Sequence, residues 1–316
     1  MGPLSERQTS GIQPNPNCSI STSLTIITAT TMPPTAASNK TLRILKDAKA
    51  GGYAVAAMCC YNLEGVLATV RAAEAASSPA MVLLFPWAMT YAGTSLVRAA
   101  ADACQQAKVP VALHLDHCQT PELVRQAADI EKGFDSIMCD MSHYDDNLAL
   151  TKELVAYCHE RGIATEAEPG RIEGGEDGVA DTIELEGILT TPEKAQEFVD
   201  TGIELLAPAF GNVHGEYGPR GIRLEYDRLE AVNAAVGDQV YLVLHGADPF
   251  DEEIFRRCIK AGITKININK GMNKHYLRVM KEMSDKPLTS IIEAGTDAMQ
   301  KAIEEYMRQL GSAGKA

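Results

Sequence analysis

From Tyr53 onward, short apolar runs recur at near-regular intervals: 53–58 (YAVAAM), 80–85 (AMVLLF), 109–115 (VPVALHL), 134–140 (FDSIMCD), 163–168 (IATEAE), 202–208 (IELLAPA), 239–245 (QVYLVLH) and 262–268 (ITKININ). Each has the length of a buried strand, and several are rich in Val and Ile, as parallel strands covered on both faces require. Helix-length stretches with 3.6-type periodicity separate them, as over Leu63–Ala76, Pro121–Glu131 and Leu148–Glu160. Thr120-Pro121-Glu122 and Thr191-Pro192-Glu193 read as N-caps followed by Pro at the first helical position. Gly133, Gly162, Gly202 and Gly262 each stand between a helix end and the next strand. Eight strand–helix units in about 270 residues predict a (β/α)₈ TIM barrel, an α/β fold. After Lys270 the pattern is helical to Leu310, which predicts a C-terminal helical extension. A doubly wound open sheet would carry a Gly-rich turn after its first strand, and CCYNLEG at 59–65 has none.

Composition sharpens this picture. Residues 1–39 are rich in Ser, Thr and Pro and read as a disordered or loosely docked extension, leaving 40–316 as one barrel domain with its C-terminal helices. The net charge of −13 comes with no dense Lys/Arg cluster, which argues against nucleic acid and against anionic membranes as partners. A phosphate site would therefore be local, built from a few basic groups and backbone N–H donors. No apolar run reaches membrane length and no charged segment precedes an apolar leader. The eight cysteines include no Cys-x-x-Cys pair; free core thiols and a cytoplasmic location are the reading.

The candidate chemistry sits at strand ends. His117 in VALHLDHC, His214 in LAPAFGNVHG and His245 in VYLVLHG end three different strands. Such ends converge on one face of a parallel barrel, and three imidazoles with an open fourth position suit a catalytic zinc. Asp116, Asp140, Ser142, His143, Glu166, Glu168, Asn267 and Asn269 also fall at strand ends, more polar chemistry than a solvated rim explains. Asp140 reads as a residue orienting a ligand, or as a transient ligand at a second site. His114 reads as a hydrogen-bonded core histidine, and His159 and His275 as surface residues of helices. The loop 170–180, with Gly at 170, 174, 175 and 178 beside Glu173, Glu176 and Asp177, fits a mobile lid as well as a plain acidic surface loop.

Over about Thr41 to Tyr276 these motifs resemble the class II, metal-dependent fructose-bisphosphate aldolases and related ketose-bisphosphate aldolases. The resemblance rests on HLDHC at 114–118, GFDSIMCDMSHYDDNLALTKELVAYCHERGI at 133–163, EAEPGRIEGGED at 166–177, HGEYGP at 214–219, LHGAD at 244–248 and KININ at 265–269. It implies Zn²⁺, with a monovalent cation as a second candidate cofactor, a sugar phosphate substrate and a homodimer or homotetramer. His117, His214 and His245 resemble the zinc ligands, and Glu168 an alternative ligand position. Asp116 matches the proton carrier at the aldehyde oxygen, Glu176 the loop base acting on the ketone, and Asn267 the asparagine beside the enediolate. Gly215 and Gly246 match backbone positions that cradle a phosphate, with Asp248, Asn269 and Lys270 lining the same region. The implied activity is reversible aldol cleavage of a ketose bisphosphate. Departures fall in the phosphate region: Ala247-Asp248 replaces Gly-Ser, Asn269-Lys270 replaces Asp-Thr, Asn273 replaces an arginine, and Pro86 replaces a serine. They leave two alternatives: the same chemistry on a less phosphorylated substrate, and a silent barrel that only binds.

Overall fold

The computed structural model describes residues 32–175 and 187–316. Its strands are β1 (Val55–Cys59), β2 (Ala80–Leu84), β3 (Val111–Cys118), β4 (Ser136–Cys139), β5 (Ala164–Ala167), β6 (Glu173–Gly174), β7 (Leu205–Leu206), β8 (Val213–His214), β9 (Tyr241–Leu244) and β10 (Ile263–Ile268). Eight of them close a barrel in the order β1-β10-β9-β7-β5-β4-β3-β2, all pairs parallel, while β6 and β8 form a separate two-stranded ribbon. The predicted barrel is therefore present, with its sixth strand reduced to the Leu205–Leu206 pair.

Alternation along the strands divides the core in two. Val55, Ala57, Cys59, Met81, Leu83, Ala112, Leu205 and Val243 pack inside the barrel, and Ala56, Met58, Val82, Leu84, Leu113 and Leu115 pack outward against the helices. The interior is plugged at the strand starts by the helix Lys40–Gly51, whose Leu42, Ile44, Leu45 and Ala48 join the inner cluster. Asn39 caps that helix by accepting from the Leu42 N–H. Its amide also donates to the carbonyls of Asp135 and Gly162, tying the plug to the starts of β4 and β5. Of the N-terminal segment, residues 1–31 lie outside the described residues; within 32–39, Pro34 and Asn39 are already buried.

The C-terminal helices dock on the barrel. Leu288–Gln309 packs against Leu63–Ala76 and Lys270–Glu282, burying Met299, Ile303 and Met307. The helix Lys270–Glu282 directly follows β10, so its N-terminus opens at the mouth of the barrel. Among the described residues no helix is long and apolar enough to cross a membrane.

Candidate metal centre and active site

Toward the C-terminal ends of the strands the inward positions turn polar. On β3 the sequence Ala112, His114, Asp116 climbs one face, and β5 and β10 contribute Glu166, Lys265 and Asn267. His117 breaks the alternation: it should face away from Asp116, yet it lies in the same site. It does so because it adopts φ 44° and the β3–β4 register shifts between Leu115 and Cys118. A bulge of this kind re-aims one side chain at a rim.

His117, Glu168, His214 and His245 place ligand atoms within 4.8 Å of one another and could hold a metal ion. His214 Nε2 lies 3.3 Å from His245 Nδ1, and the His117 ring stands edge-on to both other imidazoles at 4.7 Å. The far nitrogens meet carboxylates: His117 Nδ1 is 2.8 Å from Asp140 Oδ2, and His245 Nε2 is 2.9 Å from Glu166 Oε1. A carboxylate behind an imidazole fixes its tautomer and leaves the other nitrogen for a metal. Glu168 accepts the Ile172 N–H through Oε1, while its buried Oε2 has no hydrogen-bond partner. A carboxylate oxygen without a hydrogen bond beside three imidazoles is a donor set that fits a divalent cation.

Asp140 thus reaches the centre through His117, with its second oxygen taken by the N–H and hydroxyl of Ser142. Glu166 also bonds the buried ammonium of Lys265 at 2.8 Å, a pair fully enclosed in the barrel. His114 bonds Ser136 and lies 3.5 Å from Glu166 and 3.8 Å from Asp116, so it is both a core residue and a neighbour of the site. Asp116 is buried; its Oδ2 accepts from the Asn267 amide at 2.8 Å, and its Oδ1, 3.8 Å from His114 Nε2, accepts no hydrogen bond. His143 rests on Tyr144 outside the four-residue group. His159 is half-buried rather than a free surface group, paired with Glu204 at 2.8 Å. Glu176 lies outside the described residues.

The electrostatics follow from burial and close charges. Burial opposes the His117 cation, but Asp116, Asp140 and Glu168 around it carry its pKa up to about 10. Burial, then repulsion from His117 and His245, holds His214 well below the usual histidine range. Burial also lowers His245, against the pull of Glu166. Glu168 is pushed up to about 8 by burial and by Asp140. Against burial, Lys265 and His245 bring Glu166 down to about 2, and His117 and His114 keep Asp116 well below the carboxylate range. Raised His117 and Glu168 and lowered His214, Asp116 and Glu166 mark the cluster as a site of strongly perturbed groups, the kind of place where ligand and proton chemistry concentrates.

The glycines after two of the histidines are set by backbone geometry. Gly246 has φ 69°, and a Cβ there would lie 2.1 Å from the Val213 carbonyl oxygen. Tyr217 donates to that glycine's own carbonyl at 2.9 Å, which pins the turn. Gly215 has φ 78°, and a Cβ would lie 2.9 Å from the Gly175 oxygen.

The family model for class-II fructose-bisphosphate aldolase matches residues 39–315. The chain belongs to the class II fructose-bisphosphate aldolase family. It is therefore a carbon–carbon lyase of a metal-dependent family. It is 58% identical over 292 residues to a candidate fructose-bisphosphate aldolase of Coccidioides immitis, covering 90% of this chain and 97% of that one. The fructose-bisphosphate aldolase of Geobacillus stearothermophilus is 34% identical, covering 86% of this chain and 96% of its own. A crystal structure of the Coccidioides immitis protein superposes with a TM-score of 0.87 at 59% identity, covering 88% of this chain and 98% of that one. The YdjI aldolase of Escherichia coli K12 gives 0.73 at 30% identity, over 87% and 97%.

Proposed function

We propose that this aldolase cleaves and forms the carbon–carbon bond of a phosphorylated ketose, using one zinc ion held by His117, His214 and His245. The observation that carries the reading is the convergence of those imidazoles with Glu168, each side chain's ligand atom within 4.8 Å of the others. The carboxylates of Asp140 and Glu166 behind two of the imidazoles support it. When bound, the metal supplies Lewis-acid stabilisation of the negative charge that cleavage leaves on the ketone fragment.

The chain supplies the rest. Asp116 carries the proton at the aldehyde-side oxygen, taking it from the hydroxyl in cleavage and returning it in condensation. Its surroundings keep it ionised, so it starts cleavage as a base. The Asn267 amide holds one oxygen and leaves Oδ1 for the proton. Glu168 is the alternative metal ligand, and Glu176 the base assigned to the ketone carbon on its motif. The burial of Asp116, His114 and Glu166 excludes water from the proton path. Seven cysteines among the described residues are buried thiols in the core, which suits a reducing, cytoplasmic setting. The test is zinc-loaded protein assayed for aldol cleavage across a panel of ketose mono- and bisphosphates. We expect at least one to be split in a chelator-sensitive reaction. Stoichiometric zinc with no cleavage of any would leave a binding protein on an aldolase fold.

A further inference from the structure

The helix Lys270–Glu282 begins at the barrel mouth, and the backbone N–H groups at its start form a ready seat for an anion. In this chain the seat is filled from within. Asp248 Oδ1 accepts from the N–H groups of Asn269 and Gly271, and Oδ2 from that of Lys270, each at 2.9 Å. Asp248 stands three residues after His245, and Asn269 two after Asn267, whose amide holds Asp116. The seat therefore borders the groups assigned to metal and proton transfer. The ammonium of Lys270 is directed to Glu216, 3.5 Å away, rather than to Asp248. Beyond the seat the wall is aromatic. Asn269 donates to the Tyr61 hydroxyl; the Tyr61 ring stacks on Phe85, and Phe85 stacks on His117.

We infer, resting on the aldolase reading above, that Asp248 determines specificity as a built-in anion occupying the seat a phosphorylated ketone would need. The ketone half of the substrate is then an uncharged hydroxy ketone of the dihydroxyacetone type, and any phosphate belongs to the aldehyde half. The three N–H donors cannot serve a second anion, and a phosphate entering beside the carboxylate would meet like charge at close range.

Two readouts test this. In the first, inorganic phosphate is titrated calorimetrically into metal-free wild type, Asp248→Ser and Asp248→Asn. Wild type should show no saturable binding, and Asp248→Ser should bind at least about tenfold tighter. Asp248→Asn gives the same comparison if the serine variant fails to fold. In the second, zinc-loaded protein is incubated in D₂O and the hydroxymethyl C–H beside the carbonyl is followed by NMR; that proton leaves to the enzyme's base and a deuteron returns. Wild type should label dihydroxyacetone with kcat/KM at least about tenfold above that for its phosphate ester, and Asp248→Ser should reverse the order. Wild type that binds phosphate as tightly as the variant, or labels the phosphate ester faster, overturns the inference while leaving the aldolase reading intact. Zinc-loaded wild type and variant that label neither ketone overturn the aldolase reading, and this inference with it.

Discussion

At the base of the barrel the inward positions are Val55, Met81, Ala112, Ala164, Leu205 and Val243, sealed by Leu42, Leu45 and Ala48 of the first helix. Two to four residues along β3, β5 and β9 they become Asp116, Glu166 and His245, and β10 adds Lys265 and Asn267. Both ends are fully enclosed, so exposure does not distinguish them. The base gains from removing apolar surface from water. Ionised groups at the mouth cost several kcal/mol each to bury and are tolerated because each finds a partner, as Glu166 does in Lys265 and His245. One alternating backbone thus separates where the fold is stabilised from where chemistry is done.

The largest expected effect is at the mouth. Asp116→Asn should lower kcat about 10²–10⁴-fold with zinc content and melting temperature little changed, since the amide keeps the shape but cannot shuttle a proton. Turnover within a few-fold of wild type would remove Asp116 from the mechanism. The base gives the converse. Leu45→Ala, in the plug, should cost about 2–5 kcal/mol in urea unfolding while leaving kcat per folded molecule unchanged. A matching loss of kcat would show that the two ends are coupled.

Between them comes the support behind the imidazoles. Asp140→Asn should weaken zinc binding about 10–100-fold in chelator competition, because Asp140 fixes the His117 ring. Unchanged affinity would mean that His117 is oriented by something else. The smallest effect is the pH slope. In the metal-free protein Asp116, Asp140 and Glu168 push His117 up to about 10 against the effect of burial, so zinc must displace a proton from it. Affinity should rise with pH by at most about tenfold per unit across about 7 to 10 and then level off. The stability contribution has the matching sign: a raised histidine stabilises the metal-free fold fully below about 6.5, and that contribution is lost as pH rises through about 10. Glu168 acts in the same direction, its contribution fading as pH rises through about 8. Zinc affinity flat from pH 7 to 9 in a competition assay would contradict the protonated His117.

Much of the barrel was legible because apolar runs, proline-started helices and glycine stops all report local backbone preference. The three histidines were legible for a related reason: a strand end is readable, and strand ends of a parallel barrel converge. What escaped the sequence depends on which face a side chain takes. Strict alternation would have turned His117 away from Asp116, and only the φ of 44° allows both in. Glu166 read as a strand-end residue but Lys265 as strand interior, and their pairing joins β10 to β5 across the barrel, far apart in sequence. A period-2 count along β3, β5 and β10 puts His114, Glu166 and Lys265 on the inner face and offers the signal. Asp248 read as a negative charge near a phosphate; its three backbone donors come from a helix start some twenty residues on, a contact no local pattern contains.

Metal content measured beside fold stability tests the three-histidine centre most directly. By elemental analysis, wild type should carry one zinc per chain, and a variant with His117, His214 and His245 all changed to Ala should carry none, with its chemical unfolding midpoint close to that of metal-free wild type. A triple variant that keeps full zinc occupancy would contradict the assignment of the centre.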